Sequence, residues 1–178
     1  MSIRYSILRR VLLLGAIGLV LSGCFQSDGP KFPPGTAAAP FGDGGRYVVY
    51  EYVAEDRYER QEVFDIKRRA DRAYDLINEK GQTIAVTFHA VAEDRFVGQT
   101  KTEKDPNHKT YGYLMLRVTD KEALLYLPQC GEQELAVLDA FEVKVLNKLE
   151  CSIDRVSDPV ELFKALRLGH PVSKLVRE

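Results

Sequence analysis

A nine-residue element occurs twice in this chain. Val53-Ala54-Glu55-Asp56-Arg57-Tyr58-Glu59-Arg60-Gln61 returns 38 residues later as Val91-Ala92-Glu93-Asp94-Arg95-Phe96-Val97-Gly98-Gln99, with six of nine positions identical. In each copy an apolar, aromatic run precedes the Ala-Glu-Asp-Arg element and an aromatic follows it. A polar trio between two such runs reads as a hairpin turn returning into a strand. The same offset sets Tyr74-Asp75-Leu76 near Gly112-Tyr113-Leu114, again strand-like. The expected organisation is two copies of a β-meander, not a solenoid, which needs three or more repeats. The competing explanation is chance similarity between two charged turns.

Alternation supports strands around these turns. Ile84, Val86 and Phe88 face one way and Thr83, Ala85 and Thr87 the other. Glu79-Lys80-Gly81 supplies a turn between Tyr74–Ile77 and that strand. From Tyr111 to Val118 both faces are apolar, with Gly112, Leu114, Leu116 and Val118 opposite Tyr111, Tyr113 and Met115, as in a strand covered on both sides. Asp120-Lys121-Glu122 turns the chain into Ala123–Leu127, and Pro128 ends it.

The last third changes character. Asp158-Pro159-Val160-Glu161 has the form of a helix start, with Asp as N-cap, Pro at the first helical position and Glu three residues after the cap. Leu162, Phe163 and Leu166 give the apolar stripe, and Gly169 with Pro171 stops it. Residues 133–140 read as a further helix with Leu135 and Leu138 inward. From Phe141 onward the pattern fits a strand (Phe141, Val143, Val145) as well as a helix (Leu138, Phe141, Val145, Leu149). The fold class expected is α+β: a predominantly antiparallel β-meander sheet, duplicated and either curved or barrel-like, with C-terminal helices.

The N-terminus is of another kind. Arg4, Arg9 and Arg10 form a basic region with no acidic residue before Cys24, and Val11–Leu21 is an eleven-residue apolar run. A spanning helix needs roughly 20 apolar residues, so this run is the length of a signal-peptide core. It closes on Leu21-Ser22-Gly23-Cys24, which resembles the lipobox of bacterial lipoproteins. The resemblance implies cleavage before Cys24, lipidation of that cysteine by a diacylglyceryl thioether and an amide-linked acyl chain of the palmitate type, and stable membrane attachment, since two chains suffice where one is marginal. Phe25 follows Cys24 where many lipoproteins retained in the inner membrane carry aspartate. The implied address is the periplasmic face of the outer membrane. Arg9-Arg10 also fits twin-arginine export, with general secretion as the default.

Residues 24–45 carry four prolines and five glycines with no apolar period, and read as the lipidated Cys followed by a flexible tether. As a loose chain such a tether reaches about 25 Å. The domain organisation expected is 1–23 signal peptide, 24–45 tether and 46–178 one globular domain. Cys130 and Cys151 remain. In an exported protein an even pair points to a disulfide, and two cysteines allow one connectivity.

After cleavage the chain keeps 22 Lys plus Arg against 26 Asp plus Glu, a net charge of −4. Such a balance with mixed signs disfavours a nucleic-acid partner, which needs a concentrated basic face. No hydrolase, zinc-protease, P-loop or calcium-loop motif occurs. His89, His108 and His170 share no metal spacing, so neither metal nor cofactor is expected, and no catalytic residue is assigned. Glu55-Asp56 and Glu93-Asp94 read as solvated turn residues. Lys67-Arg68-Arg69 with Arg72 is a basic run, either a solvated strand edge or a contact for lipid phosphates. Tyr47, Tyr50, Tyr52 and Tyr58 are the densest aromatic cluster, read as core before ligand groove. The reading is a membrane-anchored envelope lipoprotein serving as a non-enzymatic binding or structural module. Its partners are the membrane through Cys24 and an envelope protein or lipid. The alternatives are a carrier of an apolar or lipidic ligand within the curved sheet and, behind it, an envelope hydrolase.

Overall fold

A computed structural model describes residues 25–54, 57–105 and 108–178, with side chains described outside 102–109. Residues 1–23, read above as a signal peptide, lie outside the described residues, as do Cys24 and the Glu55-Asp56 pair.

The repeated element organises the central strands. β1 (Phe25–Ser27) and β2 (Ala37–Ala38) precede β3 (Gly44–Ala54), β4 (Arg57–Arg68) and β5 (Tyr74–Asn78). Then come β6 (Thr83–Ala90), β7 (Arg95–Asp105), β8 (His108–Val118) and β9 (Glu122–Tyr126). β3–β5 and β6–β8 are three-stranded antiparallel meanders. The recurring polar trio falls between β3 and β4 in one and between β6 and β7 in the other, where alternation must stop for the chain to reverse. The copies diverge in detail: β3 and β4 slip register between Val49 and Tyr50 and again between Tyr52 and Ala54, whereas β6 and β7 pair without a shift.

Closure comes from the end of the chain. After β10 (Lys144–Val145) and β11 (Cys151–Ser152), β12 (Ser173–Arg177) returns between β9 and β3, antiparallel to both. β8 also pairs with β9. Among the described residues, eight strands (β3 to β9 and β12) thus form a closed antiparallel barrel. Closure removes the exposed edges that an open sheet would carry.

The barrel lumen is filled with side chains. One apolar cluster takes residues from all eight strands: Tyr47, Phe64, Tyr74, Phe88, Phe96, Leu116, Ala123 and Leu175 in chain order. Only the inside of a barrel brings all its strands to one cluster. Phe41 enters this cluster edge-on against Tyr47, Tyr74 and Phe88, with ring centroids 5.2–5.7 Å apart. Packing is tight at Gly98, where a Cβ would stand 2.6 Å from Leu114 Cδ1 and 3.0 Å from Phe88 Cε1. The outward faces carry ion pairs such as Arg46–Asp65, Arg117–Asp94 and Lys174–Glu122. An apolar lumen inside a charged exterior is the reverse of a membrane-spanning barrel. β5, β9 and β12 are also five residues each, short of the roughly 9–11 that a membrane-spanning strand needs.

A second cluster lies outside the wall, over the outward faces of β6–β8. Val97, Tyr113 and Met115 are covered by Phe25 and Phe32 from the N-terminal side, and by Ile153, Leu162 and Phe163 from the C-terminal side. β8 is therefore apolar on both faces, as its sequence indicates. Here the expected tether is overturned. Phe25, Phe32 and Phe41 are 0, 2 and 6 % exposed. β1 pairs antiparallel with β8 and parallel with β11, and β2 pairs with β6. Residues 25–45 form a strap on the barrel, so the folded unit is 25–178, not 46–178. Proline and glycine make the strap irregular without preventing it from burying single aromatics in sites the barrel supplies.

The C-terminal third packs as a cap. α1 (Leu135–Ala140) is shorter than expected and Leu135 is 71 % exposed, against the inward placement; Leu138 is buried as anticipated. Leu135 is the first residue of this helix and stands clear of the cluster that takes Leu138. In α2 (Pro159–Ala165) Asp158 accepts the Glu161 N–H at 3.0 Å, the cap its sequence announces, and Leu162 and Phe163 are fully buried. The ambiguous 141–149 stretch is neither a full strand nor a helix, apart from the two residues of β10.

Candidate functional site

The corner where the chain enters the fold is the most elaborately built polar region of the molecule. Ser27 Oγ lies 2.6 Å from Tyr113 Oη and donates to the Gly29 carbonyl at 2.6 Å, while Lys31 N–H donates to Tyr113 Oη at 3.2 Å. Burial raises the Tyr113 hydroxyl to about 12, so it stays protonated as a donor across the physiological range. Gln99, 7 % exposed, accepts the Lys31 and Phe32 N–H groups on Oε1 at 2.9 and 3.1 Å and returns Nε2 to the Phe32 carbonyl at 3.2 Å. One amide thereby satisfies three backbone groups of a segment with little regular structure of its own. Further along, Thr36 Oγ1 lies 2.9 Å from His89 Nδ1, and the His89 ring stacks on Phe32 with centroids 4.8 Å apart.

His89 is 2 % exposed and its Nε2 has no hydrogen-bond partner among the described residues. Burial lowers its pKa below the ordinary 6.5. With the folded pKa depressed, the unfolded chain binds more protons below pH 6.5, so stability is full above that value and falls as pH drops toward the folded pKa. Thermal unfolding at pH 7.5 and 5.0 should show a loss in the wild type that is smaller in His89→Gln; equal losses would remove His89 as its source.

Beside the strap sits the disulfide. Cys130 and Cys151 are joined, with Cα atoms 5.6 Å apart. Cys151 lies in β11, which pairs with β10, and the chain between them makes a tight turn over 146–150. Asn147 Oδ1 accepts the Leu149 and Glu150 N–H groups at 2.8 and 3.0 Å, and Gly131 N–H donates to the Lys148 carbonyl at 2.9 Å. A Cβ on Gly131 would meet that carbonyl at 2.7 Å, so a residue without one is what lets the turn dock. An open groove of about 350 Å³ runs alongside, between Ser27, Thr110, Lys144 and Arg155. Its Asp154 is committed: Oδ1 accepts the Asp28 N–H at 2.8 Å and Oδ2 the Ser152 hydroxyl at 2.6 Å. Ser152 and Asp154 thus make a local turn, and among the described side chains no histidine stands beside Ser152 as a base.

The other sequence candidates are scattered. Among the described residues no three His, Cys, Asp or Glu side chains gather as a metal site. His89 lies under the strap, His170 stacks on Tyr52 at 5.8 Å, and the side chain of His108 lies outside the described ones. Asp94 pairs with Arg117 at 2.6 Å, a contact that holds its carboxyl below the usual range. In the basic run Arg69 is paired with Asp71 and Asp75. The tyrosine cluster divides. Tyr47 belongs to the lumen, whereas Tyr50 and Tyr58 meet Lys174 Nζ at 5.8 and 4.7 Å from their ring centroids. Strand alternation already separates Tyr47 from Tyr50 and Tyr52. Lys174 and His170 carry no signal in the sequence, because β12 is brought beside β3 only by closure.

Comparison with protein-family models, with curated proteins and with solved structures found no match.

Proposed function

We propose that this chain is a lipid-anchored envelope lipoprotein whose barrel is a non-enzymatic binding or structural module, working from its outer surface. The observation that carries this reading is the strap: the residues directly after Cys24 are built into the barrel wall through Phe25, Gln99 and Tyr113, as suits a domain meant to stand at its anchor. Two features weigh against the alternatives. A carrier needs luminal space, and the lumen closes on itself at Gly98, Leu114 and Phe88. A hydrolase needs a nucleophile with a base, and Ser152 and Asp154 are held by each other and by the strap. The proposed address is the periplasmic face of the outer membrane, and the proposed partner is an envelope protein.

Crosslinking in intact cells, with the native chain and Cys24→Ser in parallel, tests this. The wild type should fractionate with membranes and yield a discrete adduct. Cys24→Ser should lose acyl-dependent fractionation and the adduct while its domain stays folded. A Cys24→Ser protein that remains membrane-bound would overturn the anchor, and a hydrolytic activity in the purified protein would overturn the non-enzymatic reading.

A further inference from the structure

The turn over 146–150 exposes more apolar side chain than its folding requires. Leu149 is 59 %, Val145 49 % and Leu146 43 % exposed. The turn is held from behind by Asn147, by Gly131 against Lys148, and by the disulfide at Cys151. None of these supports involves the three apolar side chains. Lys144 and Lys148 lie among them in sequence.

The position of this turn relative to the chain's entry is set by strand register. β1 and β11 are parallel, with Phe25 opposite Cys151 and Gln26 opposite Ser152. Parallel strands begin on the same side. The residue before Cys151 is the last of the apolar turn, and the residue before Phe25 is Cys24, one peptide unit or about 3.8 Å away. The chain therefore enters β1 from the side on which the turn lies, and Phe25, 0 % exposed, leaves no slack between them.

The geometry points to a docking surface for the lipid leaflet: Val145, Leu146 and Leu149 enter the bilayer interface beside the acyl chains of Cys24, with Lys144 and Lys148 reaching lipid phosphates. This rests on the lipid-anchor reading above and adds a fixed orientation to it. An anchor joined directly to a strand brings this face to the membrane at every encounter. Apolar side chains then sit about 5–10 Å deep at the headgroup boundary, and lysines extend their apolar stems while keeping the ammonium in the polar layer.

The chain contains no tryptophan, so one placed at a single position reports alone. Leu146→Trp, Leu149→Trp and, as reference, Val53→Trp in β3 are made in the full chain. Each is exported and lipidated in a bacterial host, then reconstituted into phosphatidylethanolamine–phosphatidylglycerol vesicles with brominated acyl chains. Tryptophan emission at 146 and 149 should shift to the blue and be quenched by bromine, with position 53 unaffected. Lys144→Glu with Lys148→Glu should reduce the quenching without releasing the protein. If the variants float with the vesicles but 146 and 149 are unquenched, or quenched no more than 53, the docking surface is overturned and the anchor stands. If acylated protein fails to float at all, the anchor itself is overturned, and docking with it.

Discussion

Phe32→Ala should release the strap. Phe32 is 2 % exposed, stacks on His89, packs against Tyr113 and Phe163, and offers both its backbone groups to Gln99. Truncating a buried phenylalanine costs about 3–5 kcal/mol, here falling on the ring at the centre of the strap's contacts. The barrel lumen is built from a separate cluster that does not contain Phe32. The expected outcome is therefore local: hydrogen-exchange protection is lost over 25–38 while β3 to β8 stay protected, a sub-global opening of the kind found at the low-stability end of many folds. Uniform loss across the barrel, or none, would contradict the division into lumen and strap.

Removing the disulfide should have the second large effect. Cys130 and Cys151 are 21 residues apart, and closing a loop of that size is worth about 3 kcal/mol in the chain-entropy description. Cys130→Ala with Cys151→Ala should lower the Tm by about 6–12 °C, taking roughly 2–4 °C per kcal/mol for a domain of this size. The loss should appear first in the apolar turn and β1, because Cys151 supports both. An unchanged Tm would show that β1 and β11 are held by pairing alone.

What could be read from the sequence follows from which interactions are local. Alternation identified the faces of β6 and β8, because a half-buried strand repeats every two residues whatever its partners. The recurring Ala-Glu-Asp-Arg element marked two reversals, and Asp158-Pro159 marked a helix start, since caps and turns are settled within a few residues. The strap was not legible for the opposite reason. Phe25, Phe32 and Phe41 are spaced by seven and nine residues, each fills a separate site, and the prolines and glycines between them give the composition of a linker. The partners of Phe32, namely Gln99, Tyr113 and His89, belong to the barrel wall more than fifty residues away, and Phe41 needs Tyr74 and Phe88 from the lumen. β12 is not legible because five residues with one buried side chain, Leu175, have too little pattern to announce a strand, and only β3 and β9 give it a place. Leu135 shows how periodicity overreaches: the apolar spacing is present, but no cluster residue covers the first position of the helix.

The chain from Phe25 onward is part of the fold, so no free tether separates Cys24 from the barrel. Hydrogen exchange of the wild-type protein over residues 25–33 tests it most directly. The Lys31 and Phe32 amides, donated to Gln99 and Tyr113, should exchange slowly, on the scale of the β7 and β8 amides beside them. Exchange of the whole segment at the rate of an unfolded chain would contradict this and restore a free tether between Cys24 and the barrel.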